Sequence, residues 1–190
     1  MSTSRSQSKV EAQDLAYIAV FTAVIIVLGF VSIPVGAAGV PVVMQNAACI
    51  LAALVLGPKR GTYTVLLFLL IGLALPVLAG GRTVVYALGS PTVGYLFGYI
   101  ASALVAGLIA YRVSSKNSFL TYALLLLAGF VGLFLQYFFG VFGLMARANM
   151  TFGAAWAAQL PFVIPDAAKI LVIVFIAFAV RAALPSLRRS

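Results

Sequence analysis

The sequence has no histidine, one cysteine and only three carboxylates, and charged residues make up 8% of its 190 positions. Without histidine the commonest general base and metal ligand is missing. Three carboxylates are poor equipment for acid–base catalysis, so no enzyme is expected, and no catalytic residue, metal ligand or cofactor is assigned. Cys49 lies in an apolar run and has no second cysteine to pair with, which excludes a disulfide within the chain and a cysteine metal cluster. A glycine-rich phosphate loop of the P-loop type is also absent, so nucleotide hydrolysis by that route is excluded.

What the chain has instead is apolar surface. Hydrophobic residues make up 64% of it and its mean hydropathy is +1.19, which defines an integral membrane protein, expected in the cell membrane with lipid around it. Breaks at proline, glycine and charge divide it into six apolar segments, Leu15–Ile33, Val42–Leu56, Tyr63–Leu78, Thr92–Tyr111, Leu120–Met145 and Phe162–Leu184. The second and third are short against the ~20 residues that cross a bilayer. A polar N-terminal tail over 1–14 is read as retained, since no cleavage pattern follows it. The membrane domain then occupies 15–184, with a basic tail over 185–190.

The net charge of +9 would suit nucleic acid, but its distribution reads as topology. With a cytoplasmic N-terminus, Arg5, Lys9, Lys59, Arg60, Arg112, Lys116, Arg181, Arg188 and Arg189 all fall inside, and only Arg82 and Arg147 outside. That bias is expected of six spans with both termini in the cytoplasm; no nucleic-acid partner is expected.

Lys169 belongs to neither set. It stands three residues after Asp166, the only acid beyond residue 14, inside the last apolar run. A charge at the bilayer centre costs roughly 2.5 kcal/mol or more, so the two either compensate each other as a structural pair or present opposite charges to a ligand. Following Pro165, Asp166 is expected in the first turn of a helix, where the macrodipole favours an acid. Other polar groups fall at the same outer end. Gln45 and Asn46 follow Pro41, and either bond neighbouring helices or read a ligand's amide-like groups. Gly80 and Gly81 permit close backbone approach, and Arg82 follows as a surface residue or an anion-recruiting group. Tyr86, Tyr95 and Trp156 form an interfacial aromatic belt or pocket walls, with Trp156 assigned to the belt. Ala16, Ala19 and Ala23 make a small-residue stripe, for packing inside the bundle or for docking another membrane protein. Uphill transport would draw on an ion gradient or on a partner; a single intramembrane acid and the lack of evident inverted halves point to a partner.

The segments GVPVVMQNAACILAALVLGPKRG, LPVLAGGRTVVYALGSPTVGYLFGY and PFVIPDAAKILV resemble the BioY family, the biotin-binding S components of energy-coupling factor (ECF) transporters. The resemblance spans about residues 15–180. It implies an all-helical S-component bundle of six membrane helices with an extracellular substrate pocket, high-affinity capture of biotin, and association with a transmembrane coupling protein and a pair of ATPase subunits. Residue by residue, it implies that Asp166, Lys169 and Gln45 bind substrate, with Gly80, Gly81 and Arg82 in the glycine-rich loop and Tyr95 beside them. It also implies that the stripe of Ala16, Ala19 and Ala23 docks the coupling protein. Rival expectations are an S component for another small metabolite, an autonomous carrier using Asp166 as a proton site, and a membrane scaffold without a solute site.

Overall fold

The computed structural model describes residues 2–33, 42–112, 117–184 and 187, with the backbone alone for 2–10 and 32–33. The expected loop over 34–41, Lys116, Arg188, Arg189 and the side chains of Arg5 and Lys9 lie outside the described residues. The order of elements is α1 (Ser2–Gly29), β1 (Ser32–Ile33), β2 (Val42–Val43), α2 (Gln45–Ala74), α3 (Val84–Leu88), α4 (Val93–Tyr111), α5 (Ser118–Ala148), α6 (Phe152–Ala157) and α7 (Leu160–Ala183). Among the described residues, five helices are long and apolar enough to cross a membrane. The six apolar segments map onto these five because the second and third fall together in α2.

That helix is not one rod. Gly57 has φ 86° and ψ −178°, a conformation open essentially to glycine, and Pro58 follows, in the middle of the LGPKRG turn. A β-carbon built on Gly61 would fall 2.6 Å from the Cα of Ala53, whereas residues eight apart in a continuous helix are about 12 Å apart. The Gln45 side chain at the start of α2 also reaches the Val77 carbonyl, beyond its end, at 2.9 Å. So α2 doubles back at Gly57 into two arms, and the bundle contains six long helical rods. Every residue of the first arm, from Gln45 to Leu56, is buried. Its alanines and Cys49 allow neighbouring rods to surround it, and it ends where Gly57 turns the chain.

The ends of α1, the second α2 arm and α5 meet the starts of the first α2 arm, α4 and α7 at one end of the bundle. Here α4 and α5 touch through backbone: β-carbons built on Gly94 and Gly98 would lie 2.0 Å from the Phe139 carbonyl oxygen and 2.8 Å from the Gln136 Cα. The spacing of these two glycines is the small-residue pattern that lets membrane helices approach closely. Above them β1 pairs antiparallel with β2, Ser32 opposite Val43. Leu70, Phe97, Phe134, Val172 and Phe175 are among the large apolar side chains left on the outside of the bundle, where lipid would solvate them.

At the opposite end Arg181, assigned to the inner side, is buried, 4% exposed. Leu54 would give its carbonyl to the N–H of residue 58 in an unbroken helix, but Pro58 has none. Arg181 Nη1 donates to that carbonyl at 3.3 Å and to the Ala110 carbonyl at the end of α4 at 3.0 Å. Its guanidinium lies 4.6 Å from the ring centroid of Tyr111, whose hydroxyl reaches Val55 O at 2.6 Å. A cation thus serves the carbonyl-rich ends of two rods. Asp14 of α1 pairs with Arg60 of the second α2 arm at 2.8 Å at the same end. Replacing Arg181 with Met strands the Leu54 and Ala110 carbonyls, and thermal unfolding of the detergent-solubilised protein is expected to show a loss of about 2 kcal/mol.

Candidate solute-binding site

A cavity lies at the end where α4 and α7 begin, with about 720 Å³ of space between its walls when its open mouth is counted. Val42, Val43, Leu78, Leu96 and Phe162 supply apolar wall, and Asn46, Tyr95, Tyr99, Gln136, Tyr137, Arg82 and Asp166 supply polar atoms.

Asp166 is 5% exposed. Its Oδ1 accepts from Lys169 Nζ at 2.5 Å and its Oδ2 from the Tyr137 hydroxyl at 2.7 Å. Each carboxylate oxygen has room for about two donors, so each keeps one acceptor position. The expected first-turn placement is corrected: α7 begins at Leu160, with Pro161 in its first turn and Pro165 inside the helix. Asp166 stands beyond the reach of the helix terminus, and its charge is compensated by Lys169 and Tyr137 instead. Lys169 does not line the cavity; its ammonium also donates to the Val43 carbonyl at 2.7 Å, which ties strand β2 to α7.

Gln45 lines the cavity but is committed elsewhere. Its Nε2 donates to the carbonyls of Ile25 (3.2 Å) and Val77 (2.9 Å), and its Oε1 accepts from the Ala79 N–H at 3.3 Å. One buried amide therefore joins α1, α2 and the Val77–Arg82 turn. In that turn Leu78 pairs with Arg82, and the positive φ of Gly80 (74°) and Gly81 (69°) is what glycine supplies. Neither glycine lines the cavity. Arg82 does, with its guanidinium 5.1 Å from the centroid of the exposed Tyr86 ring. The Tyr95 hydroxyl donates to Gln159 Oε1 at 2.8 Å. Trp156 stacks on Phe134 outside the cavity. Ala16, Ala19 and Ala23 are exposed, which overturns packing inside the bundle as the purpose of that stripe.

Several lining residues were not singled out from the sequence. Gln136 was a signal in plain view, the one amide inside the fifth apolar run, and Tyr137 follows it. The Gln136 Nε2 donates to the Asn46 carbonyl and to Ser102 Oγ, both at 3.1 Å. Its orientation is fixed, because a carbonyl accepts only. Among the described residues, that leaves Gln136 Oε1 buried without a hydrogen-bond partner, as is Asn46 Oδ1.

A bundle of apolar helices with such a cavity at one end is the architecture of a membrane protein that holds a small solute. The sequence profile described as the BioY family matches residues 2–186. Among relatives, the biotin transporter BioY of Rhizobium etli is 35% identical over 180 residues, 92% of this chain and 96% of that one. The biotin transporter BioY of Thermotoga maritima is 39% identical over 163 residues, 85% and 92% of the two chains. The crystal structure of the S-component for biotin from an ECF-type ABC transporter superposes with a TM-score of 0.82 at 31% identity, covering 92% of this chain and 93% of that one. The chain belongs to the BioY family.

Replacing Gln45 with Leu leaves the buried Val77 carbonyl and Ala79 N–H without their partner. The expected outcome is a loss of about 2 kcal/mol in stability, measured by thermal unfolding, together with weaker solute binding as the Val77–Arg82 turn loosens.

Proposed function

We propose that this protein captures biotin at the outer face of the cell membrane as the substrate-binding subunit of an ECF-type transporter. A transmembrane coupling protein and ATPase subunits supply the work. The relatives named above are biotin transporters, and biotin carries the groups this cavity complements. The observation that carries the proposal is the grouping of Asp166, Gln136 and Asn46 on its lining, with an acceptor position left on each Asp166 oxygen. Unpaired acceptors in an apolar site are costly and call for N–H donors, which the ureido ring of biotin provides. Arg82 is the cation on the same lining, suited to a carboxylate. The ureido ring is thus assigned to the Asp166 region and the valeryl carboxylate to Arg82.

The six rods are proposed as six spans with both termini cytoplasmic. Among the described basic residues other than Lys169, which is paired with Asp166 inside the bundle, Lys59, Arg60, Arg112 and Arg181 fall at the end opposite the cavity and Arg82 and Arg147 at the cavity end, the asymmetry of the positive-inside rule. The exposed stripe of Ala16, Ala19 and Ala23 is assigned to docking the coupling protein. An autonomous proton carrier is disfavoured because Asp166 is already held by a cation and a hydroxyl.

The test is equilibrium binding of biotin and of biotin amide, which lacks the anionic end. Arg82→Gln is expected to weaken biotin about tenfold, the worth of one charge-assisted hydrogen bond, and to leave the amide near its wild-type affinity. Asp166→Asn is expected to weaken both. Equal losses for the two ligands in Arg82→Gln would remove Arg82 from the carboxylate, and unchanged biotin affinity in Asp166→Asn would overturn the assignment of the site.

A further inference from the structure

Tyr95 lines the cavity, and its position is constrained by Gly140 and Gln159, which do not. A β-carbon built on Gly140 of α5 would lie 2.5, 2.6 and 2.9 Å from Cζ, Cε1 and Cε2 of the Tyr95 ring. Non-bonded carbons rest at about 3.5–4.0 Å, so the hydroxyl end of the ring occupies space that any other residue at position 140 would claim. The hydroxyl itself is held by Gln159 Oε1 at 2.8 Å. Gln159 is 1% exposed, and its Nε2 donates to the Ala155 carbonyl at 3.3 Å, which fixes which end of the amide faces the tyrosine. The tyrosine backbone has no slack either, because the preceding Gly94 is pressed on the Phe139 carbonyl. With α5 on one side and the α4 backbone packed against it, the free direction for the ring is into the cavity that it lines.

We propose that Gly140 and Gln159 are positioning residues that set the width of the cavity through Tyr95, and so make it admit the fused two-ring head of biotin. The inference rests on the biotin reading above. Neither residue lines the cavity; Gly140 gives the ring room to withdraw into α5, and Gln159 holds it there. A methyl group at position 140 drives the ring into the cavity, and a thinner ligand tolerates the loss of width better than a thicker one.

The experiment compares biotin with dethiobiotin, which has the ureido ring and the carboxylate but not the second ring. Gly140→Ala is expected to weaken biotin about tenfold or more, as overpacking does, and dethiobiotin by a smaller factor. Adding Tyr95→Leu to Gly140→Ala is expected to restore biotin binding to about the level of Tyr95→Leu alone, because the displaced ring is gone. Gln159→Leu, which leaves α5 untouched, is expected to reduce the preference for biotin over dethiobiotin. If Gly140→Ala alone fails to fold, the double variant must still fold and bind; a double variant that also fails to fold overturns the inference. Equal losses for both ligands without rescue by Tyr95→Leu overturn it as well, while the biotin reading stands. Wild-type protein that binds neither ligand overturns the biotin reading and this inference with it.

Discussion

A buried carboxylate shared between an ammonium and a phenol holds the functional end of this protein together. Asp166 joins α7 to α5 through Tyr137, and Lys169 extends the same cluster to strand β2 through the Val43 carbonyl. Three segments distant in sequence are thereby fixed around one cavity. A charge so placed is tolerable only because both of its oxygens have donors, and those donors still leave lone pairs for a ligand. The compensation that permits burial thus sits beside the feature that invites binding.

The rest of the bundle keeps that cluster in place by satisfying backbone groups where helices break. Gly57 and Pro58 turn α2 back on itself, and the carbonyl that Pro58 leaves without a partner is taken by Arg181. At the other end Gln45 does the same for the Ile25 and Val77 carbonyls and the Ala79 N–H. With no water to hydrogen-bond free peptide groups inside a membrane, these two side chains carry out work that solvent would do in a soluble protein. Between them, the glycines of α4 bring its backbone against α5 and fix where Tyr95 and Tyr99 stand.

Much of this was legible in the sequence because apolar runs broken by proline, glycine and charge leave few ways to divide the chain. From the second segment on, the rod boundaries fall within about five residues of those expected, whereas α1 begins at Ser2, within the expected polar tail, and not at Leu15; the LGPKRG turn stands where Gly57 breaks α2. The Asp166 and Lys169 pair was visible as a charge in an apolar run. Its second partner was not, since Tyr137 lies 29 residues earlier on another helix and a tyrosine near a membrane surface has several ordinary roles. Gln45 was singled out, but the backbone groups that occupy it have no sequence signature. The burial of Arg181 was not legible, because its purpose depends on a missing N–H at Pro58, far away in the chain. The short helices α3 and α6 and the two-residue strands were not expected; each is too brief to impose a periodicity.

The most direct measurement is the mass of the small molecule that copurifies with the detergent-solubilised protein from cells supplied with biotin, for wild type and for Asp166→Asn. A central role for the buried carboxylate predicts biotin bound near one per chain in the wild type and depleted in the variant. Wild-type protein that carries no biotin, or a variant that retains as much as the wild type, would contradict it.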